Sequence, residues 1–151
     1  AGAAGRDGMV AGQALDLDAV GGHPDVAALA AMHGHKTGAL IRAAVRLGGL
    51  VAVDEADPRL AALDAYAGAI GLAFQIHDDI LDVTADTATL GKTSGADAAR
   101  AKPTYPSLMG LEGARRRADE LVETALTSLA PLGEAATPLA ELARYMIERD
   151  Y

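Results

Sequence analysis

Phe74-Gln75-Ile76-His77-Asp78-Asp79-Ile80-Leu81-Asp82 places three aspartates and a glutamine inside an otherwise apolar run. Offsets of three, four and seven from Gln75 reach Asp78, Asp79 and Asp82, so on an α-helix all four share one side. Carboxylates a turn apart repel one another and aspartate is a poor helix former, so such a face calls for a cation. Hard oxygen donors in this pattern suit Mg²⁺, or Mn²⁺ in its place. Mg²⁺ typically takes one or two carboxylates, keeps several waters and bridges to substrate phosphates. The alternative is a solvated helix end. Ile80, Leu81 and Val83 flank the acids with apolar surface, and a partly buried carboxylate without a partner is destabilising, which puts the metal-binding reading first.

The three-and-four spacing continues upstream through Leu60, Leu63, Ala67, Ile70 and Phe74. It predicts one long helix from about Pro58 to Val83, with Asp57 as its N-cap. Before it, Leu29, His33, Lys36/Thr37, Leu40/Ile41, Ala44/Val45 and Gly48 repeat at the same interval and predict another helix, with Pro24 in its first turn. A first helix is expected from about Ala3 to Leu15. Downstream, a polar loop from Asp86 to Pro103 leads to a helix opened by Pro106, whose apolar face is Leu108, Leu111, Ala114, Ala118, Leu121, Val122, Ala125 and Leu129. A short last helix runs from about Pro138 to Arg149. Val51-Ala52-Val53 is the one β-like fragment and reads as a helix end. The fold class is therefore all-α, a helical bundle or part of one.

Of the 151 residues, 50% are hydrophobic but only 3% aromatic, so the core is expected to be Ala, Leu, Ile and Val between closely approaching helices. Lys and Arg total 13 against 21 Asp and Glu, a net charge of −8. That balance argues against nucleic acid, whose binding needs a basic face. Cysteine is absent, which excludes disulfides and thiolate metal sites and fits the cytoplasm. No apolar run of about 18 residues suggests a membrane span, so no stable membrane insertion is expected. The chain opens on Ala1 rather than methionine, which fits either a cut or initiator removal. Its three lysines all sit near polar features: Lys36 beside Thr37 in mid-helix, Lys92 after Gly91 in the loop beyond the aspartates, and Lys102 before Pro103-Thr104-Tyr105-Pro106. His33 and His35 cannot share a helix face, and all four histidines read as structural rather than as zinc ligands.

Taken together, these blocks resemble a known family. Gly12-Gln13-Ala14-Leu15-Asp16-Leu17, Lys36-Thr37-Gly38-Ala39-Leu40-Ile41, the Phe74–Asp82 stretch, Gly91-Lys92, Lys102-Pro103-Thr104-Tyr105-Pro106 and Tyr145-Met146-Ile147-Glu148-Arg149 follow the order and approximate spacing of trans-isoprenyl diphosphate synthases. The bacterial farnesyl (geranyltrans-) diphosphate synthases are the nearest type, and the match runs over essentially the whole chain. The resemblance implies a helical bundle of the isoprenoid synthase type. It also implies a prenyltransferase that condenses isopentenyl diphosphate with an allylic diphosphate by Mg²⁺-assisted ionisation, acting as a homodimer when complete. Asp78, Asp79 and Asp82 would be the second aspartate-rich motif, holding Mg²⁺ against the allylic diphosphate, with Asp78 foremost as direct ligand. Lys36 and Lys92 would grip that diphosphate, Thr37 and Gln75 would face the carbon that becomes cationic, and Lys102 would be a supporting cation at the pocket mouth. Gln13 and Asp16 match a block lining the cavity, and Arg149 would help close over the homoallylic diphosphate. The released diphosphate would itself take the proton, so no side-chain base is needed.

Family members are roughly twice this length and carry a first aspartate-rich motif on an earlier helix. Residues 1–151 are accordingly expected to be the C-terminal half of a prenyl diphosphate synthase domain, inactive alone and exposing a large apolar surface unless an N-terminal half covers it. Two other readings stay open. A regulatory or scaffold subunit of a prenyltransferase pair would have no need of Asp78, Asp79, Asp82, Lys36 and Lys92. A terpene cyclase relative would usually replace the second aspartate motif with an Asn/Ser/Glu triad.

Overall fold

A 27-residue helix whose apolar positions recur every three or four residues becomes the spine of this protein. The computed structural model describes residues 1–84 and 102–148. After a 3₁₀ turn at Gly2–Ala4 come α1 (Met9–Asp18), α2 (Val26–His33), a π-helical turn (Gly34–Gly38) leading directly into α3 (Ala39–Leu50), and α4 (Pro58–Thr84). Then follow α5 (Tyr105–Met109), α6 (Leu111–Ser128), a 3₁₀ stretch (Ala130–Ala136) and α7 (Thr137–Glu148). Among the described residues there is no strand.

The spine, α4, buries Leu60, Leu63, Tyr66, Ala67, Ile70, Ala73, Ile76 and Ile80. It starts where Asp57 accepts the backbone N–H of Arg59 at 2.8 Å, as an N-cap residue should. Its principal partner is α6, which offers Ala114, Ala118, Leu121, Val122 and Ala125. Because the facing positions are so often alanine, the two backbones can lie close, and few aromatics are needed to fill the gap. Tyr66 is an exception: its ring is buried and its hydroxyl donates to the Leu139 carbonyl at 2.8 Å, tying α4 to α7. On the other flank Arg46 of α3 pairs with Asp64 of α4 at 2.5 Å. By length and composition α4 could cross a membrane, yet half of its most apolar 18-residue stretch is buried inside the bundle.

Three helix starts differ from expectation. Helix α1 begins at Met9 rather than Ala3, because a turn folds tightly through Gly8, where a Cβ would meet the Ala3 carbonyl oxygen at 2.1 Å. Pro24 lies outside α2; the N-cap is Asp25, whose carboxylate accepts from Ala28 N at 2.8 Å. The helix expected from Pro106 is two helices. Thr104 and Ser107 form a reciprocal capping box for α5, and Gly110, at φ +76°, turns the chain before α6.

Large apolar side chains are exposed on α1 (Met9, Val10, Leu15, Leu17), on α3 (Leu40, Leu47, Leu50) and just beyond it at Val51, which is 90% exposed. The isolated chain is therefore expected to enhance the fluorescence of 1-anilinonaphthalene-8-sulfonate. No enhancement, together with a sharp melt of a monomer, would contradict this.

Candidate functional site

Helix α1 meets the π-helical turn backbone to backbone. A Cβ added at Gly12 would lie 2.1 Å from the Lys36 backbone nitrogen, so no side chain fits there. Asp16, one turn further along the same face, is thereby brought against Lys36. The turn itself is bracketed by Gly34 and Gly38 and accommodates one extra residue, a feature common at functional sites. It presents Lys36 toward α1 and Thr37 toward α4, where the Thr37 hydroxyl donates to Gln75 Oε1.

A single carboxylate oxygen then receives two cations. Lys36 Nζ donates to Asp16 Oδ2 at 2.8 Å, and Lys102 Nζ donates to the same atom at 2.9 Å. Burial alone would raise the Asp16 pKa, but the hydrogen bonds and charges of Lys36 and Lys102 outweigh it and hold the carboxyl below its usual range. Lys102 arrives from the other side of the chain, just before α5. That segment is pinned to the spine by Tyr105 N, which donates to Asp79 Oδ2 at 2.9 Å, and by the Tyr105 ring, stacked on His33 with centroids 5.9 Å apart.

These contacts surround a cavity of about 160 Å³ lined by Asp16, His33, Lys36, Gln75, Asp78, Asp79 and Lys102 together with Met32, Pro103 and Thr104. A larger cavity of about 390 Å³ lies near the start of α4. It is lined by apolar residues such as Val45, Leu63 and Leu139, and its one charged side chain, Arg59, is already paired with Asp57. Of these two cavities, the smaller is the one where lysines and carboxylates meet.

Sequence-predicted site residues are partly gathered here. Lys36, Gln75, Asp78, Asp79 and Lys102 line the cavity, and Thr37 bonds to Gln75. Asp82 is 1% exposed and outside the lining, one helical turn beyond Asp78. Gln13 is exposed on α1, about 100° round the helix from the Gly12 contact, and it is Asp16 that enters the cavity. Lys92 and Arg149 lie outside the described residues. His33, read only as structural, is 8% exposed, and both its ring nitrogens lack a hydrogen-bond partner. Its place on the same helix face as Lys36, three residues on, was the available signal.

The donors suit a shared ion better than a closed one. Among the described residues no three His, Asp or Glu side chains converge enough to hold a metal by themselves. One Asp79 oxygen is engaged by Tyr105 and one Asp16 oxygen by the lysines, and Asp78 lines the same cavity. Mg²⁺ fits such a set, since it takes one or two carboxylates and completes its shell with water and phosphate oxygens.

Comparison with known proteins points to one family. The profile of the family described as "Polyprenyl synthetase" matches residues 6–136. Farnesyl diphosphate synthase of Escherichia coli is 56% identical over 153 residues, covering 99% of this chain and 51% of that protein. Farnesyl diphosphate synthase of Haemophilus influenzae is 44% identical over 147 residues, covering 97% and 50%. A geranyltransferase from Helicobacter pylori, solved with magnesium and isoprenyl diphosphate, superposes with a TM-score of 0.81 at 33% identity over 98% of this chain and 48% of its own. The chain belongs to the polyprenyl synthetase family, and its fold is the all-α fold of isoprenyl diphosphate synthases. It spans about half the length of the curated relatives it matches.

His33 makes a pH prediction. Burial first, then the charges of Lys36 and Lys102 against the opposing pull of Asp16, lower its pKa from 6.5 to about 4. Unfolded chains therefore bind the proton more readily between those values, so this contribution to stability is complete above pH 6.5 and declines as pH falls toward 4. The full loss corresponds to about 3 kcal/mol. Melts of the wild type and of His33→Phe across pH 4 to 7 should show a shallower pH slope in the variant; equal slopes would refute the assignment.

Proposed function

We propose that this chain is the diphosphate-binding C-terminal half of a prenyltransferase. In the complete protein, a cytoplasmic homodimer, it joins isopentenyl diphosphate to dimethylallyl or geranyl diphosphate and releases a short-chain product such as farnesyl diphosphate. The observation that carries this reading is the convergence of Lys36 and Lys102 on Asp16 in a cavity that Asp78 and Asp79 also line. Membership of the family and the likeness to the magnesium-containing geranyltransferase support it.

In this reading Asp78 would hold Mg²⁺ (or Mn²⁺), with Asp82, one turn further along α4, adding negative charge. When bound, the ion neutralises charge on the diphosphate and orients it. Lys36 and Lys102 exchange the single Asp16 oxygen for phosphate oxygens, with Lys92 as a third cation. Because these ammonium groups already stand together, the charge that builds on the leaving diphosphate as the allylic C–O bond breaks meets partners that need little reorganisation. Thr37, its hydroxyl hydrogen directed to Gln75, keeps oxygen lone pairs for the carbon that turns cationic. The isopentenyl double bond then attacks that carbon, and the departing diphosphate accepts the proton released. Arg149 helps close over the homoallylic diphosphate.

The test is incorporation of radiolabelled isopentenyl diphosphate by the complete protein. Asp78→Ala should lower turnover on the order of 10²-fold or more, and chelation of Mg²⁺ should abolish it. Full activity in the variant would remove the assignment.

A further inference from the structure

Two neighbouring aspartates of α4 face different demands. Asp78 is half-buried and lines the cavity. Asp79 is 7% exposed, and its Oδ2 accepts the backbone N–H of Tyr105 at 2.9 Å in a buried contact. That amide is the first of α5, one of the N–H groups that a helix start cannot satisfy internally. The Thr104 side chain serves Ser107 N instead, so the Tyr105 amide takes its acceptor from the spine.

We infer that Asp79 is a positioning residue: by holding the Tyr105 amide it fixes where Lys102 stands, and thereby governs diphosphate binding without being the principal ion ligand. The inference rests on the diphosphate-binding function proposed above. Lys102 precedes Tyr105 by three residues, a span of about 10 Å at most, and Pro103 restricts the link further by locking its own φ. The Tyr105 ring, buried and stacked on His33, holds the same segment at a second point. From there Lys102 reaches Asp16. The carrier of the other lysine is tied to the same face of α4, because Thr37, next to Lys36, bonds Gln75, one turn before Asp79. Gln75 and Asp79 thus anchor the two segments whose ammonium groups meet at Asp16.

Accepting an amide N–H requires an oxygen in the right place, not a negative charge, whereas ligating a divalent ion draws on the charge. Asparagine separates the two. In the complete enzyme, steady-state kinetics with geranyl diphosphate and hydrogen exchange of the Tyr105 amide are measured for Asp79→Ala, Asp79→Asn and Asp78→Asn. Asp79→Ala should raise the KM for the allylic diphosphate by roughly ten-fold or more, more than it lowers kcat, and should lose protection at Tyr105. Asp79→Asn should recover most of both, and this variant decides the matter if the alanine variant does not fold. Asp78→Asn should lose turnover while Tyr105 stays protected. Overturning the inference would be an Asp79→Asn enzyme as impaired as Asp78→Asn, or a Tyr105 amide equally protected in Asp79→Ala and the wild type. Wild-type turnover in Asp78→Asn would instead overturn the proposed function, and the Tyr105 exchange pattern would still judge the anchor.

Discussion

One carboxylate oxygen, Oδ2 of Asp16, sits between two ammonium groups that would otherwise repel each other in a partly buried place. Such a pair of like charges is not stable on its own, and the acid that neutralises it must come close without carrying bulk with it. Gly12 meets that condition by letting α1 press on the Lys36 backbone. The rest of the site is arranged around this contact. Asp16 links α1 to the π-helical turn and to the segment before α5, and α4 closes the circuit through Gln75 and Asp79. In the proposed function a diphosphate would offer the same lysines more oxygens than Asp16 does, and the resting ion pair would resemble the bound state.

Small residues make this closeness available throughout. Gly71 of α4 lies against Gly38 and Ile41, where even a Cβ would be at 3.4 Å from both, and alanines form much of the α4–α6 contact. A bundle built this way has short distances between backbones and few adjustable side chains in between, so it transmits the position of one helix to the next. Precision at the cavity therefore depends on residues with almost no side chain, such as Gly12 and Gly38.

Much of the fold was legible because its strongest element is long and regular. The Leu60-to-Phe74 periodicity and the Asp57 cap define α4 from local pattern alone, and the Asp-Asp-x-x-Asp placement follows from that helix. Features set by a single glycine were less legible. Gly8 delays α1, and Gly110 splits the downstream helix by adopting a conformation that only the backbone reveals. The π-helical turn inserts one residue without disturbing the apolar spacing enough to notice. Asp16 belongs to the Gly12–Leu17 block, yet its partners are 20 and 86 residues away in sequence, a relation that exists only after the helices pack. Asp79 is similar: the trio reads as one motif, but packing brings Asp78 and Asp79 to the cavity, ties Asp79 to a backbone amide as well, and buries Asp82 outside the lining.

The central claim is that Lys36 and Lys102 are held together by Asp16 so that a diphosphate can take them over. The most direct measurement is a crystal structure of the complete protein with Mg²⁺ and inorganic pyrophosphate. The account predicts phosphate oxygens within hydrogen-bonding distance of both Nζ atoms and the ion on Asp78. Pyrophosphate bound elsewhere, with both lysines still on Asp16, would contradict it.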